Sequence, residues 1–362
     1  MMSAGLMGLL WIIAGYSLSF GEGNAFIGDL SMVMLDGITP DSVSGTIPTY
    51  VFVIFQGMFA IITPALMLGA FAERMRFSAY LIFITVWLFL VYVPLAHMVW
   101  GGGWIGESGA LDFAGGLVVH MSSGFSALVA CLVLGKRLGY GREQMHPNSL
   151  PFTMIGASLL WVGWFGFNAG SAVAADNSAA MAMLVTHLSA ACGSLAWMTM
   201  EWLRHGKPSV LGIVTGMVAG LGTITPASGS VGPAGAVVIG LSAGVVCYFA
   251  TITLKNRLGV DDSLDVFPVH GVGGMLGLIM AGIFCSPSLG LFSGNGFSDG
   301  VEGIAGQLGI QLTGIGATFA YTAVVTWILL RVVNLMVSLR VDQEDETAGL
   351  DIVLHDERGY DM

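Results

Sequence analysis

Charged residues are scarce in this chain. Asp, Glu, Lys and Arg together make up 10% of its 362 residues, whereas they make up about 25% of ordinary soluble domains. Apolar residues account for 55%, and many fall in uncharged stretches close to the roughly 17–25 residues that cross a bilayer. The composition excludes an ordinary soluble domain and indicates a polytopic membrane protein. No nucleic-acid partner is expected.

Cysteine is also rare. The four cysteines all fall within apolar runs, and none forms a Cys-x-x-Cys pair; they are Cys131, Cys192, Cys247 and Cys285. Neither a disulfide framework nor a zinc site is therefore indicated. We expect no metal and no cofactor.

The apolar runs predict an all-α fold of about ten transmembrane helices. Their limits, which carry errors of a few residues, are residues 2–20, 50–72, 78–100, 113–134, 151–167, 178–202, 211–223, 234–254, 266–285 and 304–335. Together they predict a transmembrane domain of residues 1–339, followed by a tail of residues 340–362.

The basic residues test this count independently, because short loops rich in Lys and Arg remain in the cytoplasm. All twelve lie after the even-numbered spans or in the last helix and tail: Arg74, Arg76, Lys136, Arg137, Arg142, Arg204, Lys207, Lys255, Arg257, Arg331, Arg340 and Arg358. The alternate joints carry acidic residues instead: Glu22, Asp29, Asp36, Asp41, Glu107, Asp112, Asp176, Asp299 and Glu302. We expect a cytoplasmic tail and an external acidic face, which either keeps the surface hydrated or favours a cationic solute.

The start of the chain carries a separate expectation. With ten spans and a cytoplasmic tail, the first residue is predicted to be cytoplasmic. Met1 nevertheless leads almost directly into apolar sequence, without a basic flank or a signal-peptide cleavage pattern. We expect one further membrane-spanning helix upstream of Met1.

Two histidines, His120 and His270, lie inside predicted spans. An ionisable side chain at bilayer depth costs roughly 2.5–3.5 kcal/mol on insertion scales, so it normally faces a cavity or a partner and marks a transport path. Their spans are the fourth and the ninth, which cross the membrane in opposite senses. This indicates inverted five-helix halves, about residues 1–170 and 171–339, with the solute path between them. The alternative is two unrelated core histidines that are bonded to backbone carbonyls.

Further candidate residues belong to the outer end of this path. Asp112, eight positions before the first of these histidines, either caps its helix or biases an outer vestibule toward cations. Phe55, Phe59 and Trp100 can attract a cation through their rings, or can serve as core and interfacial packing. Ser171 has a hydroxyl that can accept a hydrogen bond from a small cation with several donors.

Distinctive segments occur along nearly the whole chain, from Tyr16 to Tyr360. They are FQGMFA, GAFAERMRFSA, LAHMVWGGG, GALDFAGGLVVH, GWFGFNAGSA, GKPSVLG, ITPASG, VDDSLDVFPVHGVGG and RVDQEDETAGLDIVLHDERGYD. In this order they resemble the bacterial members of the ammonium transporter family, the Amt, Mep and Rh group. The resemblance implies the ammonium transporter fold and a protein that takes up ammonium and is not an enzyme.

The resemblance also implies roles for residues at the outer end of the pore. Phe55, Phe59, Trp100 and Ser171 would form an outer ammonium site. Phe59, stacked on Phe167, would form a hydrophobic gate beneath it.

Below the gate, the resemblance implies a pore centre of His120 and His270 that relays the proton, with Asp112 as a structural and electrostatic support beneath the outer site. It further implies a homotrimer in the bacterial inner membrane, and a PII-type signal protein that docks on the cytoplasmic face beside the acidic tail. Family members have eleven spans, so this chain would begin within the equivalent of their second.

A bare cation at the centre of a bilayer is prohibitive in energy, whereas neutral ammonia is not. We therefore hypothesise that ammonium is captured at the outer site, loses its proton at or beyond the gate, and crosses as ammonia past the histidines. Three alternatives are a sensor of ammonium, a membrane metalloenzyme with the histidines as ligands, and a gas channel for ammonia or carbon dioxide. The short tail argues against a sensor. The lack of an obvious third metal ligand argues against a metalloenzyme. The outer aromatic rings, which suit a cation, argue against a gas channel.

Overall fold

The computed structural model describes residues 1–359, and within them ten helices are long and apolar enough to span a membrane. They are α1 (Met2–Phe20), α2 (Thr49–Phe71), α3 (Phe77–Glu107), α4 (Gly116–Leu134), α5 (Leu150–Gly170), α6 (Asn177–His205), α7 (Val210–Ala227), α8 (Pro233–Arg257), α9 (Phe267–Phe284) and α10 (Gly303–Met336). The prediction of an all-α membrane protein with ten spans is confirmed. The largest difference is at α3, which was predicted to end at residue 100 and continues to Glu107 after a break at residues 101–103.

Smaller elements lie at the two ends of the helix bundle. The loop between α1 and α2 contains the antiparallel strands β1 (Val43–Ser44) and β2 (Ile47–Pro48). After α10, two short helices follow, α11 (Gln343–Ala348) and α12 (Leu350–His355). We call the end with the β1–β2 loop the acidic end and the end with α11 and α12 the basic end. The last three residues of the predicted tail, 360–362, lie outside the described residues.

Several spanning helices begin at side-chain caps that the sequence supplies just before an apolar run. Ser149, Asp176 and Ser209 each accept a hydrogen bond from a backbone N–H in the first turn of α5, α6 and α7. These bonds satisfy N–H groups that have no partner within the helix. In a span with so few polar residues, the caps fix where the helix starts.

Helices α4 and α9 both open with a π-helical segment, Gly116–Met121 and Phe267–Val272. Each segment contains one of the two membrane histidines, His120 or His270. Such wider turns are rare within α-helices and often occur at functional sites. The two histidines therefore share one local backbone setting.

Glycines allow α4 and α9 to cross at very short range. A methyl group on Gly124 would overlap the backbone nitrogen and Cα of Gly271. A methyl group on Gly274 would lie 3.1 Å from the Cβ of His120. The crossing depends on small residues, as is common where membrane helices approach closely. It brings the two histidine-bearing segments side by side.

Buried charges join the loops at the basic end. Arg74 is fully buried and donates through Nη2 to the backbone carbonyl of Asp261 at 2.7 Å, while its Nη1 lies 3.6 Å from the Asp261 carboxylate. Arg137 donates to the same carboxylate at 2.8 Å through Nη2 and at 2.9 Å through Nε. Burial alone would raise the pKa of Asp261, but the bonds from Arg137 and the two positive charges hold it below its ordinary value. The carboxylate of Asp261 thus connects the loops that follow α2, α4 and α8.

The tail docks on this end through a second ion pair. Arg340 contacts Glu346 at 2.7 Å and donates to the carbonyls of Leu134 and Lys136. Glu346 in turn accepts the backbone N–H of Leu138 at 2.7 Å. The start of the tail is therefore held against the joint between α4 and α5.

The glycine crossing gives a testable prediction. Gly124→Ala places a methyl group where the Gly271 backbone lies, so α4 and α9 must separate. We expect a destabilisation of about 1–3 kcal/mol, as for overpacking in cores, together with loss of the ammonium or methylammonium uptake that the family resemblance implies. Gly316→Ala is the matched control, since a methyl group there would meet no atom of residues 1–359 within 4 Å. Thermal unfolding in detergent and uptake into proteoliposomes measure both effects, and a harmless Gly124→Ala would contradict the close crossing.

The charge network gives a second prediction. Asp261→Asn leaves the buried guanidinium of Arg74 without its counter-charge, and we expect a cost of about 3–5 kcal/mol, as for broken buried ion pairs. Glu73 is the other partner of Arg137 at 2.7 Å, with a side chain that is 68% exposed. Glu73→Gln should therefore cost at most about 1 kcal/mol. Equal shifts of the unfolding temperature in the two variants would show that Asp261 does not hold this end together.

Candidate functional site

Three aromatic side chains meet near the acidic end of the bundle. Phe55 and Phe59 lie one turn apart on α2, with ring centroids 4.9 Å apart and planes at 76°. Trp100, before the break in α3, contacts Phe59 at 5.6 Å and 78°. Phe59 is buried, whereas Phe55 and Trp100 are partly exposed. The edge-to-face arrangement leaves aromatic surface available to a ligand from the acidic end.

The end of α5 completes one side of this aromatic cluster. Phe167 lies over Phe59, with ring centroids 4.2 Å apart and planes at 32°. A methyl group on Gly170 would lie 3.0 Å from Cε2 of Phe55, so the backbone there packs against that ring. Ser171 donates its hydroxyl hydrogen to the carbonyl of Phe167 at 2.8 Å. Its oxygen lone pairs can then accept a hydrogen bond from a ligand.

Asp112 lies beneath the cluster and directs its carboxylate at the start of α4. Its oxygens accept the backbone N–H groups of Gly115 at 2.9 Å and Leu117 at 2.8 Å, and also that of Gly116. Burial raises the pKa of this carboxyl, and the backbone hydrogen bonds oppose that rise only in part. The backbone carbonyl of Asp112 accepts the indole N–H of Trp100 at 2.9 Å. One residue therefore contacts both the aromatic cluster and the helix of His120.

His120 and His270 lie next to each other at the level where α4 and α9 cross. Their Nδ1 atoms are 3.0 Å apart, and the rings are nearly parallel, with centroids at 5.1 Å and planes at 9°. The side chains are 0% and 6% exposed. An Nδ1–Nδ1 hydrogen bond needs one donor and one acceptor, so the pair shares a single proton on that edge. The Nε2 edges are then free to meet a solute.

Trp164 and Gly222 pack against this pair, and neither was predicted from the sequence. Trp164 stacks on His120 at 5.5 Å and 9°, and its indole N–H is held by the hydroxyl of Thr225 at 2.9 Å. The spacing was a usable signal, because Trp164 lies one helical turn before Phe167 and so faces the same side of α5. Gly222 also packs against the pair, since a methyl group on it would lie 3.6 Å from Cε1 of His120 and 3.7 Å from Nδ1 of His270. The histidines are thus bounded by an aromatic ring and by a glycine backbone.

A cavity of about 430 Å³ lies beside this column of residues. Its walls come mainly from α2 and α5 and are almost entirely apolar; they include Ile62, Leu66, Leu160 and Trp164. His120 and Phe167 also line it. The site therefore combines aromatic surface at the acidic end, two stacked phenylalanines, and a histidine pair in apolar surroundings.

Known proteins are similar to this chain along nearly its whole length. The model of the ammonium transporter family matches residues 1–360. An ammonium transporter of Bacillus subtilis strain 168 is 44% identical over 360 residues, which are 99% of this chain and 88% of the relative.

Solved structures give the same result. The crystal structure of Saccharomyces cerevisiae Mep2 has a TM-score of 0.86 and 40% identity, and the match covers 95% of this chain and 79% of that one. A structure titled Sensor Amt Protein has a TM-score of 0.88 at 26% identity, with 98% and 88% covered. With its whole length matched and its relatives this similar, the chain belongs to the ammonium transporter family, whose members are transporters and not enzymes.

Proposed function

We propose that this membrane protein transports ammonium by capturing the cation at the aromatic cluster, removing its proton and passing ammonia along the histidine pair. Transport of ammonium across the membrane is supported by the family and its relatives. The observation that carries the finer mechanism is the buried His120–His270 pair, 3.0 Å apart, directly beyond stacked aromatic rings. Each step follows from the chemistry of these residues.

The capture step uses the rings of Phe55, Phe59 and Trp100 with the hydroxyl of Ser171. A cation over an aromatic face gains roughly 0.5–2 kcal/mol, more when it is desolvated. Ser171 already donates its hydrogen within α5 and so offers an acceptor to an N–H group. Ammonium has four N–H donors, whereas a spherical alkali ion has none. This combination favours ammonium over potassium.

The gate step uses the stacked rings of Phe59 and Phe167. With centroids 4.2 Å apart, they leave no room for a hydrated cation between them. A cation that moves further must shed water into apolar surroundings, which is costly, whereas loss of a proton leaves a small neutral molecule. We therefore place deprotonation at or beyond this gate, where the proton is either accepted by the bare Nε2 of the histidine pair and relayed or returned to water at the acidic end.

The histidine step follows from the shared proton. When one Nδ1 donates to the other, the donor histidine has a bare Nε2, and the acceptor histidine, if neutral, has a protonated Nε2. Ammonia, which both donates and accepts, can bind to each in turn. The pair thus offers one acceptor and one donor along a path that is otherwise apolar, and it can relay the proton.

Asp112 acts as a support from beneath the capture site. Its carboxylate holds the first turn of α4, and its carbonyl holds the Trp100 indole. We propose that its negative charge also favours a cation in the outer site, while its main contribution is structural.

We also propose that residues 1–170 and 171–339 are inverted halves. Asp262 precedes His270 by eight positions, as Asp112 precedes His120. Like Asp112, it accepts a backbone N–H at the start of the histidine helix, that of Phe267 at 2.8 Å. Burial, with the nearby charge of Asp265, raises the pKa of Asp262 to about 6. The repeated setting of carboxylate, π-helical segment and histidine supports the inversion.

The orientation and partners are proposals of the same kind. The basic end would be cytoplasmic, with the tail of residues 340–362, in a bacterial inner membrane. The family resemblance suggests a homotrimer, and a PII-type signal protein that docks on the basic end. The contact of Glu346 with Leu138 and Arg340 supports a tail that shares this surface with the loops. A sensor role has weaker support, since the structure with that title is only 26% identical.

Removal of the Trp100 ring tests the capture step. Trp100→Ala should raise the half-saturating methylammonium concentration about 5- to 30-fold, which corresponds to loss of roughly 1–2 kcal/mol of cation attraction. Trp327→Ala is the control, because that ring lies on α10 and is 49% exposed. Uptake into proteoliposomes across a concentration series measures both variants. If Trp100→Ala lowers expression but leaves the half-saturating concentration unchanged, Trp100 serves in packing and not in capture.

Removal of either histidine tests the pore centre. His120→Ala or His270→Ala should lower maximal ammonium flux by about tenfold or more, because a lost hydrogen-bonding step in a buried path costs roughly 1–3 kcal/mol. Assembly, followed by size-exclusion chromatography, should not change. His205→Ala, at the exposed end of α6, is the control. Wild-type currents and selectivity in both pore variants would show that the histidines are not part of the transport path.

A further inference from the structure

Helix α10 carries two buried glutamines that the proposed transport mechanism does not use. Gln307 and Gln311 lie one turn apart and are 0% and 1% exposed. Burying an amide without hydrogen-bond partners is unfavourable, because the group loses its bonds to water. Their retention in an apolar helix therefore requires specific hydrogen bonds, and the structure provides them.

The side-chain amide of Gln311 forms hydrogen bonds with both backbone groups of Leu111. Its Oε1 accepts the N–H of Leu111 at 2.7 Å, and its Nε2 donates to the C=O of Leu111 at 2.9 Å. The same amide nitrogen donates to the C=O of Leu278 at 3.2 Å. Both hydrogens of the amide and its oxygen are thus satisfied. Gln307 holds the neighbouring Gly109 instead, at 2.9 Å.

One backbone group lies just before α4 and the other lies within α9, the two helices that carry the histidines. Leu111 lies nine positions before His120, just before α4, and Leu278 lies eight positions after His270, within α9. Because α4 and α9 run in opposite senses, both leucines are toward the acidic end. A single side chain therefore bonds the segment that leads into α4 to helix α9 at that end.

Leu111 is also covalently joined to the residue beneath the aromatic cluster. Asp112 holds the Trp100 indole through its carbonyl and the start of α4 through its carboxylate. A shift of the Leu111 backbone must move the carbonyl that orients Trp100. The path from Gln311 to the capture ring contains two hydrogen-bonded contacts and one peptide bond.

We propose that Gln311 is a positioning residue for ammonium capture, acting through Leu111 and Asp112 on the orientation of Trp100. The proposal rests on the proposed capture site. Gln311 itself touches no part of the solute path, so its removal should change how well ammonium is captured before it changes the passage of ammonia.

The packing around Gln311 offers a second way to disturb it. A methyl group on Gly282 would lie 3.2 Å from the Cγ of Gln311, which is tighter than ordinary contact. The methyl group would also lie 3.2 Å from Cδ2 of Leu308, so Gly282→Ala presses on Gln311 and Leu308 together without removing any polar group. Thr318 is a matched control on the same helix, since it is fully buried and its hydroxyl oxygen has no partner within residues 1–359.

The test measures methylammonium uptake by the reconstituted chain over a concentration series. Gln311→Met should raise half-saturation about three- to tenfold with a smaller change in maximal rate, and Gly282→Ala should shift it in the same direction. Thr318→Val should leave it unchanged. In a Trp100→Ala background, Gln311→Met should add less than about twofold, because both changes disturb one site.

The outcomes separate the two proposals. If Trp100→Ala raises half-saturation and Gln311→Met does not, the positioning role is overturned and the capture site stands. Fully additive effects in the double variant also overturn it. If neither single variant changes half-saturation, both proposals fail. If Gln311→Met does not fold, Gly282→Ala decides, since unchanged half-saturation there overturns the role and a raised value supports it.

Discussion

The close crossing of α4 and α9 is the constraint on which the rest of this structure depends. Gly124 and Gly271 leave room for one backbone against the other, and that contact sets the 3.0 Å separation of the His120 and His270 nitrogens. Membrane helices gain little from hydrophobic burial against each other, so small residues and polar contacts must provide their association. The same surface that packs α4 against α9 therefore forms the proposed pore centre.

Several of the polar groups that are buried inside the bundle serve this crossing. Asp112 and Asp262 hold the starts of the two histidine helices, and Gln311 bonds the segment that leads into α4 to helix α9. At the opposite end, Asp261 joins three loops through two arginines. Because no water is present in a bilayer to satisfy such groups, each must find partners in the protein. Their bonds give the apolar helices a defined register.

The proposed transport path follows from the order of environments that this frame creates. A solute from the acidic end meets aromatic faces, then the stacked rings of Phe59 and Phe167, and then the histidine pair. The aromatic rings attract a cation at the end of the path where water is still accessible, and deeper in the bundle the apolar lining offers a cation no replacement for its water. This order favours a cation that can shed a proton. Ammonium has that property, and alkali ions do not.

The sequence by itself determined the ten spans, because long uncharged runs have few alternatives, and the distribution of its basic residues predicted their orientation. It also identified both histidines, since ionisable residues at bilayer depth are rare and conspicuous. Only the tertiary structure decided that their Nδ1 atoms meet, that Trp164 stacks on one of them, and that the Asp112 carboxylate faces α4 while its carbonyl meets Trp100. The role of Gln311 could not be predicted from the sequence, because its partners are the backbone atoms of Leu278 and Leu111, which lie 33 and 200 positions away along the chain. Long apolar runs indicate which residues enter the membrane. The hydrogen-bond partners of a side chain on another helix depend on how the helices pack.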